Sequence, residues 1–376
     1  MARCMQDNIV YVAQRSAPRQ LLDSRPDLAL AETIMSGYLG KSFYCRQGRD
    51  VWPWKFDHKF WHLFLPLTRM PDSGGSHGDF ACITDARANG LRQTRWGVPW
   101  YVEWSGGIDS TTVLVALLRN LDPADFDNVH VIMNHASVWE NPDFFNDHVK
   151  PNFRYVSPDH YQSAVRGKID HLRINGDPAD MLWGAVRALA ASKDGVDLSA
   201  KWKSRQSSWM QFNYALWGQP ATEWLYEIMA MQIDSVPQYD IVTVADWYWW
   251  LNFNFKWLQQ LVYDFGPADM DCVANYFNCI TPWYAGQDYQ LWSIDTGRYR
   301  LGNRFDQYKT EAKDYVFAWD NNSYYRKFKL KFESNGRDVT QSTDKFWTLS
   351  DKLVIALPPQ ISHHSVLGHL NPRSSC

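Results

Sequence analysis

Between Trp100 and Met133 the chain alternates short apolar runs with turns in a way that few folds accommodate. WYVEW (100–104) has the length and the aromatic and β-branched content of a strand, and the glycines of Ser105–Gly107 break it. STTVLVALLRNL (110–121) is apolar on most faces, as a helix enclosed in a core must be. The loop LDPADFDN leads to VHVIM (129–133), a second buried strand, and Phe153–Ser157 and His171–Asn175 supply a third and a fourth. Pro178–Ala191 then reads as another helix. Strand–helix–strand repeats at this spacing predict an α/β fold, a parallel sheet with helices on both faces. Beyond residue 195 the pattern predicts a mainly helical C-terminal part that includes the aromatic run WYWWLNFNFKW (247–257).

Composition supports a buried core. Of 376 residues, 45% are hydrophobic and 21% charged, which excludes wholesale disorder, and the length suits two domains better than one. The net charge, 38 − 41 = −3, excludes a globally basic nucleic-acid coat and leaves a local basic patch open. No apolar run approaches the roughly 18–20 residues of a membrane helix; FWHLFLPL (60–67) comes nearest and contains a His and a Pro. MARCMQDNIVYVAQ has no apolar signal core, so a cytoplasmic protein without membrane partners is expected. The 6 cysteines form no CxxC pair, which argues against a disulfide framework or a zinc ribbon. The 20 Trp, 19 Tyr and 19 Phe are expected to fill cores. Residues 1–95 show weak periodicity and many breakers, with a short helix at Leu28–Met35 and a loop at Met70–Gly78. Residues 96–346 carry the α/β pattern, and 347–376 form a polar tail containing ALPPQ.

The chemistry-bearing motif is SGGIDST, Ser105 to Thr111, set between a strand and a helix. Gly106 and Gly107 let the backbone approach an anion, and the helix start offers N–H groups and a positive dipole end. Ser105, Ser110 and Thr111 add hydroxyl donors. Asp109 is the informative residue, because a carboxylate beside an anion site makes sense chiefly when it holds Mg²⁺. The plain alternative is a glycine turn whose Asp109 caps the helix.

This segment resembles the pyrophosphate loop of the N-type ATP pyrophosphatases, the PP-loop superfamily of asparagine, β-lactam, GMP and NAD synthetases, tRNA-thiolating enzymes and deazaguanine nitrile synthases. The resemblance implies an adenine nucleotide alpha-hydrolase-like, Rossmann-like domain that binds ATP and Mg²⁺ through Ser105, Gly106, Gly107, Asp109, Ser110 and Thr111. In that superfamily the loop grips the β- and γ-phosphates while a substrate oxygen attacks the α-phosphorus and pyrophosphate leaves.

GDPADMLWG, Gly176 to Gly184, is similar to the asparagine synthetase segment G-E-G-A-D-E-L-F-G-G. Here Asp177 is expected as N-cap, Pro178 as first helical residue and Asp180 in the first turn, at the same sheet edge as Asp109. The resemblance adds Gly176 to the nucleotide site and makes Asp109 and Asp180 the metal-binding acids. The chain departs from the family at Pro178 and at Met181. More loosely, Thr281–Asp295 resembles the family's R-x-P-F-L-D region, and Tyr308–Val316 its K-x-x-L-R helix, which nominates Lys309 and Lys313 as the lysines facing phosphate. RKFKLKF (326–332) alternates as a strand would, and Lys327 is the candidate for a late catalytic lysine.

Two other segments carry no site. SGYLGKS (36–42) lacks the first glycine of a Walker loop, since position 35 is Met, and SGGSHG (73–78) lacks the Asp. Asparagine synthetases that use glutamine begin with a glutaminase whose nucleophile is an N-terminal cysteine. Position 2 here is Ala and Cys4 is displaced, so no glutaminase activity is expected.

The expected function is therefore an ATP-dependent carbon–nitrogen ligase, asparagine synthetase-like and AMP- and pyrophosphate-forming. It would adenylate a small-molecule carboxylate or carbonyl oxygen and pass it to an amine or ammonia, free or from a separate ammonia-delivering partner. The rivals are a nucleobase-modifying PP-loop enzyme and an inactive nucleotide-binding or structural protein. The first lacks the cysteine cluster of the deazaguanine branch and the paired cysteines of sulfur transfer.

Overall fold

The computed structural model describes residues 10–11, 42–43, 78–95, 97–165, 168, 170–184, 186–204, 208–257, 279–295 and 309–328. The helix expected at Leu28–Met35, most of the Met70–Gly78 loop, nearly all of SGYLGKS and the tail lie outside them. Along the chain the main elements are β1 (Val10–Tyr11), β2 (Ser42–Phe43), α1 (Phe80–Arg95), β3 (Trp100–Glu103), α2 (Ile108–Asn120), β4 (Val129–Ile132) and α3 (His135–Glu140). Then come β5 (Arg154–Val156), α4 (Pro158–Val165), β6 (Leu172–Asn175), α5 (Ala179–Leu182), α6 (Val186–Lys193), α7 (Ser208–Trp217), α8 (Gln219–Asp234) and α9 (Val244–Leu251). β7 (Ile280–Pro282), α10 (Gln287–Asp295), α11 (Thr310–Asp320) and α12 (Ser323–Phe328) complete the set. They divide into two units, one of Asp79–Gly176, Ala268–Trp283 and Lys309–Cys376, the other of Met1–Gly78, Asp177–Pro267 and Tyr284–Tyr308.

The first unit is built on a 5-stranded sheet in the order β5-β4-β3-β6-β7, every pairing parallel. Helices surround it, as the alternating pattern predicts. Trp100 and Val102 align with Val129 and Val131 on one side and with Leu172 and Ile174 on the other. All six are fully buried, and each such aliphatic side chain contributes roughly 1.5–3 kcal/mol by leaving water. The alternate residues Tyr101, His130 and Arg173 form a half-buried row on the opposite face. The strands thus alternate, rather than running apolar as strands enclosed equally on both faces do.

Helix α2 is the centre of this unit: Val113 to Leu117 are inaccessible to solvent. Helix α1 packs on it through Phe80, Ile83, Ala88 and Leu91, which share one face at helical spacing. Helix α11 packs on it as well. Asp85 of α1 accepts from Asn120 Nδ2 of α2 at 2.8 Å and from the Tyr315 hydroxyl of α11, so one carboxylate ties three helices together.

In the second unit α5–α10 are helical, and the aromatic run forms its core. Trp247, Tyr248, Trp249, Trp250 and Leu251 are all buried, with Trp209 and Trp247 rings 4.9 Å apart. The single helix expected over Pro178–Ala191 is two helices. Gly184 stands between them at φ +88°, and a β-carbon there would lie 3.0 Å from Trp249 Cβ. The interruption frees carbonyls, which find donors: Ser293 Oγ donates to Leu182 O at 2.7 Å and Asn252 Nδ2 to Gly184 O at 2.9 Å. Pro178, at φ −92° and ψ 60°, is the N-cap of α5, in place of the expected Asp177.

Candidate functional site

The sheet order reverses direction between β3 and β6: β4 and β5 extend outward from β3 on one side, and β6 and β7 on the other. In open α/β sheets, ligands bind outside the carboxyl ends of the strands at such a reversal. SGGIDST leaves β3 at that point, and Gly176 leaves β6 beside it.

The loop has a fixed shape. Gly106 adopts φ +77°, where a side chain is strained, and a β-carbon there would stand 2.4 Å from Ser137 O and 2.7 Å from Glu140 Cβ. The end of α3 therefore presses on the loop, and α3 is itself held by an Asn134–Ser137 capping box, Ser137 N donating to Asn134 Oδ1 at 3.0 Å. Ser105 and Ser110 bridge the turn: their hydroxyls lie 3.1 Å apart, Ser105 N donates to Ser110 Oγ at 3.1 Å, and Gly107 N donates to Ser105 Oγ at 3.2 Å. Behind the loop, Trp104 Nε1 donates to Thr111 Oγ1 at 3.0 Å. Tyr325 Oη donates to Gly106 O at 3.0 Å. Burial holds the Tyr325 phenol well above its usual range, so it remains a donor throughout the neutral range.

Gly107 is the N-cap of α2, at φ −71° and ψ 158°, with no side-chain cap; Asp109 lies in the first turn. The alternative in which Asp109 caps the helix therefore does not hold. The first N–H groups of a helix have no intrahelical acceptor and face outward with the positive dipole end. Gly176 approaches them closely: a β-carbon at 176 would lie 3.0 Å from Ser110 N and 3.3 Å from Asp109 Cβ. Small residues following two strands thus meet at a helix start without a side-chain cap, the kind of place that suits a phosphate group.

The lysine nominated from the sequence reaches this place. Lys309 Nζ donates to Asp109 Oδ1 at 2.6 Å and to Oδ2 at 2.5 Å, across 200 positions of sequence. Lys309 is 4% exposed and takes a left-handed backbone, φ 55° and ψ 37°, at the N-cap of α11. Lys313 follows one turn later and is half-buried. The backbone of Lys327 lies in α12, so Arg326–Phe328 is helical where alternation predicts a strand; the rest of that stretch is outside the described residues. Asn322, whose Oδ1 accepts from Tyr325 N at 2.9 Å, satisfies the start of this short helix and outweighs the alternating pattern. Asp180 occupies the first turn of α5 in the other unit.

Ser105, Gly106, Gly107, Asp109, Ser110, Thr111, Gly176 and Lys309 therefore come together in one unit. Sequence reasoning missed Tyr325 and Glu140, the latter 4% exposed and packed against Gly106. Neither sits in a recognisable pattern; both matter only through contacts with a loop far away in sequence. Among the described residues no group of three or more His, Cys, Asp or Glu could hold a metal. A magnesium ion here would take Asp109 as one ligand and phosphate oxygens as others once Lys309 has moved off that carboxylate, the usual arrangement for a metal that accompanies a nucleotide. No helix among the described residues is long and apolar enough to cross a membrane. No family model, curated protein or solved structure matches the chain.

Proposed function

We propose that the protein is an ATP-dependent carbon–nitrogen ligase of the PP-loop kind, forming AMP and pyrophosphate. The observation that carries this reading is the helix start without a side-chain cap at the sheet reversal, with a carboxylate and a buried lysine beside it. The strand order supports the finer fold reading as well, a Rossmann-like sheet of the adenine nucleotide alpha-hydrolase type.

In this reading the amides at the start of α2 and the hydroxyls of Ser105 and Ser110 bind the β- and γ-phosphates. Asp109 would hold the magnesium that accompanies them. A carboxylate oxygen of the substrate attacks the α-phosphorus, the bond to the β-phosphate oxygen breaks, and pyrophosphate leaves bound to the loop. An amine or ammonia then attacks the activated carbonyl, AMP departs, and an amide remains. Lys309 and Lys313 face the charge that builds on the phosphates, and most of the acceleration comes from positioning and electrostatics. The test is turnover of Mg·ATP against a panel of small carboxylates with ammonia or amines, with products resolved by chromatography. AMP and pyrophosphate in equal amounts are expected; ADP and orthophosphate as primary products would refute the ligase reading.

A further inference from the structure

We infer that Lys309 is a tethered counter-ion that keeps divalent metal off Asp109 until a nucleotide arrives, so that metal enters only together with phosphate. The inference rests on the nucleotide reading of the loop and goes beyond it, because it assigns an order of binding.

Both Asp109 oxygens are engaged by one ammonium, at 2.6 and 2.5 Å. A magnesium ion needs an oxygen at 2.0–2.1 Å and gives up its own water reluctantly, so it cannot share a carboxylate held this way. Nor can a bare ion easily expel the lysine. Lys309 is 4% exposed, so giving up the Asp109 carboxylate would weaken the pairing of a buried ammonium. Its root is fixed too, at the N-cap of a helix that packs on α2. Metal alone would thus have to displace an ammonium already seated on both oxygens of Asp109. A triphosphate changes the balance, because its oxygens offer the lysine a second anion within the same pocket and offer the metal its remaining ligands.

The experiment uses the full chain and Mn²⁺ as the probe, free ion being counted by electron paramagnetic resonance without nucleotide. Three proteins are compared: the parent, Lys309→Met and Lys309→Met/Asp109→Asn. The parent should bind no more Mn²⁺ than the double variant. Lys309→Met should bind roughly tenfold more tightly, about the loss of one charge-assisted contact that competes for the carboxylate. A parent that already binds Mn²⁺ as tightly as Lys309→Met would overturn the inference, as would a gain that survives in the double variant.

A separate arm measures Mn²⁺ binding to the parent with ATP. If nucleotide brings no metal while Lys309→Met still gains it alone, the nucleotide reading fails and the occlusion of Asp109 stands. Where Lys309→Met does not fold by circular dichroism, the ¹⁵N-lysine ammonium signal of the parent decides. A slowly exchanging Lys309 resonance that is unmoved by Mg²⁺ alone, and moved by Mg·ATP, is expected. A shift on Mg²⁺ alone overturns the inference.

Discussion

Gly176→Ala separates ligand binding from folding at this site. The added methyl would sit 3.0 Å from Ser110 N, 3.2 Å from Asp109 C and 3.3 Å from Asp109 Cβ. These contacts are tight but need only a few tenths of an ångström of relief, and residue 176 has no left-handed backbone to strain. Losing a glycine also lowers the entropy of the unfolded chain, worth about 0.4–1 kcal/mol, so net stability should change by less than about 1 kcal/mol. Binding is different. A phosphate oxygen accepting from Ser110 N would stand about 2.9 Å from that nitrogen, in the volume the methyl takes. Excluding one such contact, charged on the acceptor side, costs about 1.5–3 kcal/mol, which is roughly 10- to 150-fold in ATP affinity. Calorimetric titration of Mg·ATP into parent and variant measures this, with urea denaturation as the stability control. Affinity within twofold of the parent, in a variant of unchanged stability, would show that the start of α2 is not where phosphate sits.

Gly106→Ala should fail in the opposite way: its positive φ and the 2.4 Å approach to Ser137 O should remove about 2–4 kcal/mol of stability, read by urea midpoint, and a neutral variant would refute the packing described for α3. Tyr325→Phe strips the donor from Gly106 O and should cost about 1–3 kcal/mol at neutral pH. The same substitution tests linkage. The Tyr325 phenol is raised in the folded state, so its contribution is fully present below the unfolded value near pH 10 and is lost as pH rises toward the folded one. Removing it should lower the alkaline slope of stability by about 1.4 kcal/mol per pH unit above pH 10; an unchanged slope would contradict its burial. Tyr155, pushed up to about 12 by burial, supplies a second such slope that the variant leaves in place. Asp109→Asn should nearly abolish pyrophosphate release; turnover within twofold of the parent would show that this carboxylate holds no metal the reaction needs.

The sheet was legible because its signal is local. WYVE, VHVI and LRIN each carry an apolar residue at every second position on the face that becomes buried, and the helix between the first two is apolar on most faces. The order of strands carries no such signal, yet the loop's place at the reversal depends on it. Where Pro178–Ala191 breaks into two helices, distant residues intervene. Nothing within Pro178–Ala191 announces that Ser293 and Asn252 will supply donors for a broken helix, so helix propensity alone predicts one continuous element. The alternation in RKFKLKF was equally local, and the capped turn at Asn322 outweighed it over Arg326–Phe328.

At the site the division is the same, with one instructive exception. SGGIDST is legible because each residue answers a backbone requirement within the segment: a left-handed glycine, a hydroxyl bridge between Ser105 and Ser110, an acid in the first helical turn. Tyr325 and Glu140 answer requirements set by that loop from elsewhere in the chain, so their own neighbourhoods say nothing. Lys309 was nominated only as a lysine that faces phosphate, whereas the structure sets it on Asp109. The two placements are compatible because both demand an anion. A buried ammonium takes whichever negative partner is present, the carboxylate when the pocket holds nothing else and a phosphate when one enters. A sequence motif records what a residue does with its ligand, and the structure without ligand records what it does in the meantime. In the order of binding we propose, the second of these makes metal entry depend on the nucleotide.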